Sequence, residues 1–131
     1  MSFQELGISN NITDKLKQNG ITEPTEIQEQ SIPKILEGKD ILAESETGSG
    51  KTLAFSLPVI EQIEGDGVQA MILSPTRELA KQIAAEIDQA SDIETVTIYG
   101  GVDYEPQIQG AKKAKIVVGT PGRTLDLLKK D

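Results

Sequence analysis

The sequence predicts an α/β fold with a mainly parallel sheet flanked by helices. Short apolar strands alternate with amphipathic helices along the 131 residues, which is the order that parallel sheets with helical crossovers require. A glycine-rich loop follows one apolar run and opens a helix, as in many nucleotide-binding folds of this class. Hydrophobic residues make up 37% of the chain, so one domain with a buried core is expected.

The first 38 residues predict two helices. Ser9 is expected to cap the first helix, and Gly20 to end it. Thr25 opens the second helix with Gln28 three residues later, which is the spacing of a capping box. Gly38 ends this segment, and residues 39–131 are then expected to form the α/β core.

Four strands are expected in the core, and each is a short apolar run. They lie at 41–43, 70–73, 96–99 and 116–118. The strand at 70–73 shows no polar alternation, so we expect both of its faces to be covered. Helices are expected at 50–63, at 77–90 and from Thr120-Pro121 onward, where a capping residue precedes proline. Ligands of such sheets bind at the carboxyl ends of the strands.

Composition excludes several kinds of site. The chain has no cysteine, which excludes disulfides and thiolate metal centres, and no histidine, which removes the usual general base at neutral pH. No apolar run approaches the ~18 residues of a membrane span, and the first residues lack the pattern of a signal peptide. We therefore expect a cytoplasmic protein with no membrane partner.

Charge is distributed unevenly along the chain. The net charge of −8 argues against a general nucleic-acid coat. Residues 1–110 carry 7 basic and 19 acidic side chains, whereas residues 111–131 carry 6 basic and 2 acidic ones. The basic end is either a solvated helix or one edge that contacts a polyanion, and both interpretations stay open.

The glycine-rich loop over residues 45–52 reads Ser-Glu-Thr-Gly-Ser-Gly-Lys-Thr and is suited to bind a nucleoside triphosphate. Gly48 and Gly50 let backbone N–H groups approach phosphate oxygens. Lys51 would bring a positive charge to the phosphates, and Thr52 a hydroxyl to Mg²⁺. The positive end of the following helix would face the same anion. The alternative is a chance glycine turn beside a surface lysine.

Five segments, in order, resemble the DEAD-box ATP-dependent RNA helicases. Thr47 to Thr52 is similar to motif I, and Gly20 to Gln28, with Phe3 upstream, to the Q motif. Pro75 to Ala80 is identical to motif Ia, Gly100-Gly101 fits the double glycine, and Thr120 to Arg123 is identical to motif Ib. The resemblance covers nearly all of residues 1–131 and implies the N-terminal portion of the first RecA-like domain, with residues 1–38 as the Q-motif region and 39–131 as the phosphate-loop core.

The resemblance implies ATP and Mg²⁺ as ligands. Gln28 would read the adenine edge through its amide, which offers a donor and an acceptor, and Phe3 would pack on the base. The implied cofactor-binding residues are Phe3, Thr22, Gln28, Ser45, Glu46, Thr47, Gly48, Ser49, Gly50, Lys51 and Thr52. Lys51 and Thr52 are the implied catalytic positions, and Thr52 is the implied metal ligand.

RNA is the second implied partner, bound through its sugar-phosphate backbone without sequence reading. The residues that match the RNA-contacting motifs are Pro75, Thr76, Arg77, Gly101, Thr120, Pro121, Gly122 and Arg123.

Each assignment has a structural alternative. Gln28 could serve only its capping box, and Phe3 could be a core aromatic. Arg77 could be a surface charge, and Arg123 could pair with Asp126 one turn on. One departure from the family pattern is the Ser45-Glu46 pair, which adds a carboxylate close to the phosphates.

The sequence contains no Asp-Glu-Ala-Asp segment, which the resemblance places after residue 131. Hydrolysis needs that carboxylate pair, so we expect these residues to bind nucleotide without hydrolysing it alone. The second RecA-like domain would be a missing partner, and unpaired strand edges could cause dimerisation. The alternative function is a non-catalytic RNA- or protein-binding module on the same fold.

Overall fold

The structure is a computed structural model that describes residues 1–44 and 50–130. In order, the elements of these residues are α1 (Asn10–Gln18), α2 (Glu26–Leu36), α3 (Lys51–Gln62), β1 (Ala70–Leu73), α4 (Arg77–Ala90), β2 (Thr95–Ile98), α5 (Tyr104–Lys113), β3 (Ile116–Gly119) and α6 (Pro121–Lys130). None of these helices is both long enough and apolar enough to cross a bilayer.

The chain divides into two compact units. The first unit contains residues 1–62 together with 89–91, and the second contains residues 63–88 together with those from 92 onward. Helix α3, which follows the glycine-rich loop, therefore belongs to the first unit. The three strands all belong to the second unit.

Helices α1, α2 and α3 build the first unit, and α2 packs against α3. Both helices predicted before residue 38 are confirmed, and Ser9 and Thr25 occupy their N-cap positions. Many apolar side chains of the unit are buried, and those on the helices follow the i, i+3 and i+4 spacing of an apolar stripe. They include Phe3, Leu6, Ile8, Ile12, Leu16, Ile32, Leu53, Leu57 and Ile60.

The second unit is a three-stranded parallel sheet in the order β1-β3-β2. Strand β3 lies in the middle with a neighbour on each edge, and it is buried along its whole length. Ile98, Val117 and Leu127 form a hydrophobic cluster against which Val96 and Ile108 pack. The expected α/β fold class with a parallel sheet and flanking helices is confirmed.

The strand predicted at 41–43 does not form, and this prediction was wrong. Leu42 is 92% exposed, and no strand of the described residues pairs with this segment. An apolar run becomes a strand only when a neighbouring edge satisfies its backbone N–H and C=O groups. The three strands in the described residues satisfy one another instead.

The predicted burial of 70–73 on both faces was also wrong. Burial alternates along β1, and Met71 and Leu73 are 46% and 55% exposed. Strand β1 is an edge of the sheet, and its only neighbour among the described strands is β3. Met71 lines an open apolar cavity of about 290 Å³. A run of apolar residues shows that both faces of a strand could be buried, but it does not show that other elements cover both faces.

Helix α5 was missed in the sequence because Pro106 and Gly110 suggest a loop. Asp103 occupies its N-cap position. Pro106 falls in the first turn, where no intrahelical N–H bond is required. Gly110 is needed for close packing, since a Cβ at this position would lie 2.6 Å from Val96 Cγ2. Both residues are therefore compatible with a helix for reasons that depend on position and packing.

Candidate functional site

Gln28 lies in the first turn of α2 and is only 2% exposed. Its Oε1 accepts a hydrogen bond from the backbone N–H of Thr25 at 2.9 Å, and its Nε2 donates to the carbonyl oxygen of Gly50 at 3.1 Å. The two partners fix the orientation of the amide, because one is a donor and the other an acceptor. Each amide atom keeps one further hydrogen-bonding position, an N–H and a lone pair.

Gly50 has a left-handed backbone conformation. Its φ is +91°, and a Cβ here would lie 2.5 Å from Gln28 Nε2 and 2.7 Å from Thr25 Oγ1. Only glycine can therefore occupy this position, beside the amino end of α3. Lys51 is exposed and Thr52 half-buried in the first turn of this helix. These groups fit a phosphate, with positive charge and N–H donors at one helix end.

Five of the predicted nucleotide-binding residues lie outside the described residues. They are Ser45, Glu46, Thr47, Gly48 and Ser49. The metal ligand expected from this region is the Thr52 hydroxyl, which is an oxygen ligand of the kind that Mg²⁺ prefers. Across residues 1–44 and 50–130, no group of three or more carboxylates, histidines or cysteines is placed to hold a metal ion.

Phe3 and Thr22 line one small cavity of about 50 Å³ in the first unit. Phe3 is 4% exposed, and its carbonyl oxygen accepts hydrogen bonds from the N–H groups of Leu6 and Ile8. The ring therefore offers little surface to a base in this structure. The predicted contact of Phe3 with the base stays a prediction.

The carboxyl edge of the sheet brings the other predicted residues together. Ser74 N–H donates to the carbonyl of Gly119 at 2.9 Å, and Thr120 N–H donates to the carbonyl of Ile98 at 2.8 Å. These bonds continue the parallel ladder into the segments that follow each strand. Helices α4 and α6 both begin at this edge, so both present their amino ends to it.

The motif that starts α4 is held by a cap and an aromatic ring. Thr76 Oγ1 accepts a hydrogen bond from the N–H of Leu79 at 3.1 Å, as an N-cap side chain does. The Arg77 guanidinium lies 4.6 Å from the centroid of the Tyr99 ring, and Lys81 Nζ lies 5.2 Å from the same centroid. Two cations therefore share one aromatic ring at the edge of the sheet.

Arg123, in the first turn of α6, is held by neutral groups. Its guanidinium lies 3.9 Å from the centroid of the Tyr104 ring. Nη2 donates to the carbonyl of Val102 at 2.8 Å, and Nη1 donates to Oε1 of Gln107 at 3.1 Å. The alternative pairing with Asp126 does not form, and this carboxylate accepts a hydrogen bond from the Tyr104 hydroxyl at 3.3 Å.

The double-glycine loop lies between the two arginines. Gly101 has a φ of +85°, and a Cβ placed there would lie 3.8 Å from Arg77 Nη1. The next residue, Val102, accepts the bond from Arg123. Gly101 thus lies beside the Arg77 guanidinium, and its neighbour Val102 is bonded to the Arg123 guanidinium. The remaining predicted RNA-contacting residues at this edge, Pro75, Pro121 and Gly122, are exposed, while Thr120 is half-buried.

Arg77, Lys81 and Arg123 make no ion pair with a carboxylate in the described part of the chain. The chain nevertheless carries 21 acidic side chains against 13 basic ones. The three cations therefore keep their charge available at the carboxyl edge, where two helix amino ends add to the positive potential. This arrangement favours binding of an extended anion.

Comparison with known proteins decides the family. The family model described as DEAD/DEAH box helicase matches residues 25–131. The chain belongs to this family. The resemblance read from five segments of the sequence is thereby confirmed.

Individual helicases of the family match along almost the whole chain. An ATP-dependent RNA helicase CshA from Limosilactobacillus reuteri is 46% identical over 132 aligned positions, which cover 96% of this chain and 27% of CshA. The crystal structure of a DEAD box protein from the hyperthermophile Methanococcus jannaschii superposes with a TM-score of 0.93 at 44% identity, over 99% of this chain and 37% of that one.

A second solved structure gives the same result. A hypothetical ATP-dependent RNA helicase from Sulfolobus tokodaii superposes with a TM-score of 0.86 at 37% identity, over 94% of this chain and 37% of that one. The chain thus spans between about a quarter and two fifths of the length of these relatives.

The sequence analysis did not predict a role for three residues at the carboxyl edge of the sheet. Lys81 follows Arg77 by one helical turn, so the i, i+4 spacing of two cations was a usable signal. Tyr99 lies under both cations, which is a tertiary feature that local sequence patterns do not encode. The position of Gln107 could not be predicted because α5 itself was not predicted.

Proposed function

We propose that this chain supplies the ATP-binding and RNA-backbone-binding surfaces of an ATP-dependent RNA helicase. Its membership of the DEAD/DEAH box helicase family supports this proposal, as do two relatives that are described as ATP-dependent RNA helicases. The RNA would be held by its phosphates, because the edge offers cations and helix amino ends.

The observation that carries the proposal is the set of three cations without a carboxylate partner at the carboxyl edge of the sheet, within the described residues. Arg77, Lys81 and Arg123 rest on tyrosine rings and neutral acceptors. Their charges therefore add to the positive potential of the two helix amino ends at the same edge. Phosphates of a nucleic-acid backbone would supply the missing negative charge.

The nucleotide half of the proposal rests on Gln28, Gly50, Lys51 and Thr52. Gln28 keeps one N–H and one lone pair, which match the acceptor and donor of the adenine edge. Lys51 and the amino end of α3 would hold phosphates, and Thr52 would contribute an oxygen to Mg²⁺. Mg²⁺-bound ATP would supply the terminal phosphoanhydride bond whose hydrolysis drives a helicase cycle.

The 131 residues hold no Asp-Glu-Ala-Asp segment. We therefore propose that they bind ATP but do not hydrolyse it unaided, and that closure of a second RecA-like domain on ATP and RNA completes the activity. A steady-state ATPase assay with RNA should show no turnover by the 131-residue chain. RNA-stimulated hydrolysis would contradict this part of the proposal.

Binding of a short fluorescent single-stranded RNA, followed by anisotropy, tests the RNA surface. The chain should bind oligouridylate and oligoadenylate with similar affinity, because phosphates carry no sequence information. Arg77→Ala and Arg123→Ala should each weaken binding about tenfold, as expected for loss of a charge-assisted phosphate contact. Lys39→Ala is the control, because Lys39 is exposed and pairs with Glu37 at 3.1 Å. Equal effects of all three substitutions would contradict the proposal.

A further inference from the structure

Gln107 is a buried polar side chain on the inner face of α5, and it is 6% exposed. Its Nε2 donates to the carbonyl of Tyr99 at 3.0 Å, and its Oε1 accepts from Nη1 of Arg123 at 3.1 Å. One side chain therefore joins the end of β2, just before the double glycine, to the first turn of α6. It belongs to none of the five motif segments.

The amide group is suited to this position because it is both donor and acceptor. The carbonyl of Tyr99 needs a donor, and the guanidinium of Arg123 needs an acceptor. A carboxylate would satisfy Arg123 but repel the carbonyl, and it would also cancel the positive charge. An amide fixes the guanidinium and leaves its charge intact.

Two further contacts complete the support of Arg123. Val102 accepts a bond from Nη2 at 2.8 Å, and the Tyr104 ring lies 3.9 Å from the guanidinium. Arg123 is thus held by three neutral groups, of which Gln107 is the buried one. Long side chains lose considerable freedom when they bind, so a guanidinium that is already fixed binds an anion at lower entropic cost.

We propose that Gln107 is a positioning residue for RNA binding: it fixes Arg123 and the double-glycine loop in one arrangement while preserving the charge that phosphates require. Gln107 itself does not contact RNA. This inference rests on the proposed function, since it assumes that Arg123 binds the RNA backbone.

The test uses the 131-residue chain, a fluorescein-labelled single-stranded oligouridylate, and Gln107→Met, Arg123→Ala and their double variant. Gln109→Met is the matched control, because Gln109 lies on the same helix, is exposed, and bonds the exposed Glu105 at 2.8 Å. Affinity is measured between about 50 and 200 mM salt, where phosphate contacts determine the slope of log K against log salt. Thermal unfolding checks that each variant folds.

Gln107→Met should weaken binding about three- to tenfold with little change in the salt slope, because the Arg123 charge remains, whereas Arg123→Ala should lower the slope by about 0.7, the value for one phosphate contact on a single strand. The double variant should bind like Arg123→Ala alone, because Gln107 acts only through Arg123. Gln109→Met should bind like the unmodified chain. Without RNA, ¹⁵N relaxation of Arg123 Nε should show a more mobile guanidinium in Gln107→Met only.

Unchanged affinity in Gln107→Met, or effects that add to those of Arg123→Ala, would overturn the inference. Should Gln107→Met not fold, Gln107→Glu replaces it. This variant should also lose affinity because it neutralises Arg123, and binding equal to that of the unmodified chain would overturn the inference. If Arg123→Ala itself binds RNA normally, the proposed RNA surface fails, and the positioning role fails with it.

Discussion

Gln28 and Gly50 are joined by a hydrogen bond of 3.1 Å from the side-chain amide to the backbone carbonyl. The oxygen of the same amide accepts a hydrogen bond from the backbone N–H of Thr25 at the start of α2. One buried side chain therefore connects the start of α2 with the last glycine before α3. A substitution at either residue should change both the capping of α2 and the conformation beside the amino end of α3, which is proposed to bind phosphate.

Gly50→Ala should damage the nucleotide site through a clash as well as through backbone strain. The new Cβ would lie 2.5 Å from Gln28 Nε2 at a φ of +91°. We expect a loss of about 1–3 kcal/mol in the free energy of unfolding and ATP binding weakened at least about tenfold, since a phosphate-binding turn tolerates little displacement. Urea denaturation and calorimetric titration with ATP measure the two effects.

Gly38→Ala is the matched control for this clash. Gly38 has a φ of +86° in the same unit, and a Cβ added there would meet no atom of the described residues within 4 Å. It should show the strain of a left-handed residue, about 1–2 kcal/mol, and keep ATP affinity. If both variants lose ATP affinity equally, the contact between Gly50 and Gln28 does not determine ATP binding.

Gly110→Ala should destabilise the second unit although alanine favours helices. A Cβ on Gly110 would lie 2.6 Å from Val96 Cγ2, and overpacking of this kind costs about 1–3 kcal/mol. Gly122→Ala in α6 meets no atom within 4 Å in the described part of the chain, so it should be neutral or stabilising by up to about 1 kcal/mol. Opposite signs in urea denaturation are expected. Stabilisation by Gly110→Ala would show that α5 does not pack on β2 as described.

Lys81→Ala should lower the salt dependence of RNA binding. Lys81 shares the Tyr99 ring with Arg77, so its charge lies beside a proposed phosphate contact. Its loss should reduce the slope of log K against log salt by about 0.7 and weaken binding at low salt more than at high salt. Anisotropy titrations at several salt concentrations measure the slope. An unchanged slope would show that Lys81 does not belong to the proposed RNA-binding surface.

The chain should self-associate in solution through exposed strand edges and apolar residues. Strands β1 and β2 each have one neighbour among the described strands, and Leu42, Met71 and Leu73 are exposed. Unpaired edges of this kind are ready templates for another chain. Size-exclusion chromatography with multi-angle light scattering should show a mass that rises with concentration. A monomer at every concentration would contradict this expectation.

Local signals in the sequence were sufficient for much of the fold. The capping-box spacing of Thr25 and Gln28 located α2, and the apolar stripe at 77–90 matched the bounds of α4. The turn of Thr120 and Pro121 located the start of α6. In these segments the local pattern and the tertiary environment favour the same structure.

Features that depend on distant neighbours were not predictable. The segment 41–43 has the composition of a strand but no partner edge among the described residues. Helix α5 contains a proline and a glycine whose tolerance depends on the helix start and on Val96. The support of Arg123 by Gln107 joins residues 16 apart along the chain, a contact that periodicity does not encode.

Adenine selectivity is the property on which an ATP-driven role for this chain most directly depends, and one calorimetric comparison measures it. ATP and GTP are titrated in Mg²⁺ into the unmodified chain, Gln28→Ala, and Gln30→Ala as an exposed control two residues on. The unmodified chain and Gln30→Ala should prefer ATP at least about tenfold, as loss of a matched hydrogen-bond pair implies, and Gln28→Ala should lose the preference. Equal binding of ATP and GTP by the unmodified chain would contradict the proposed function.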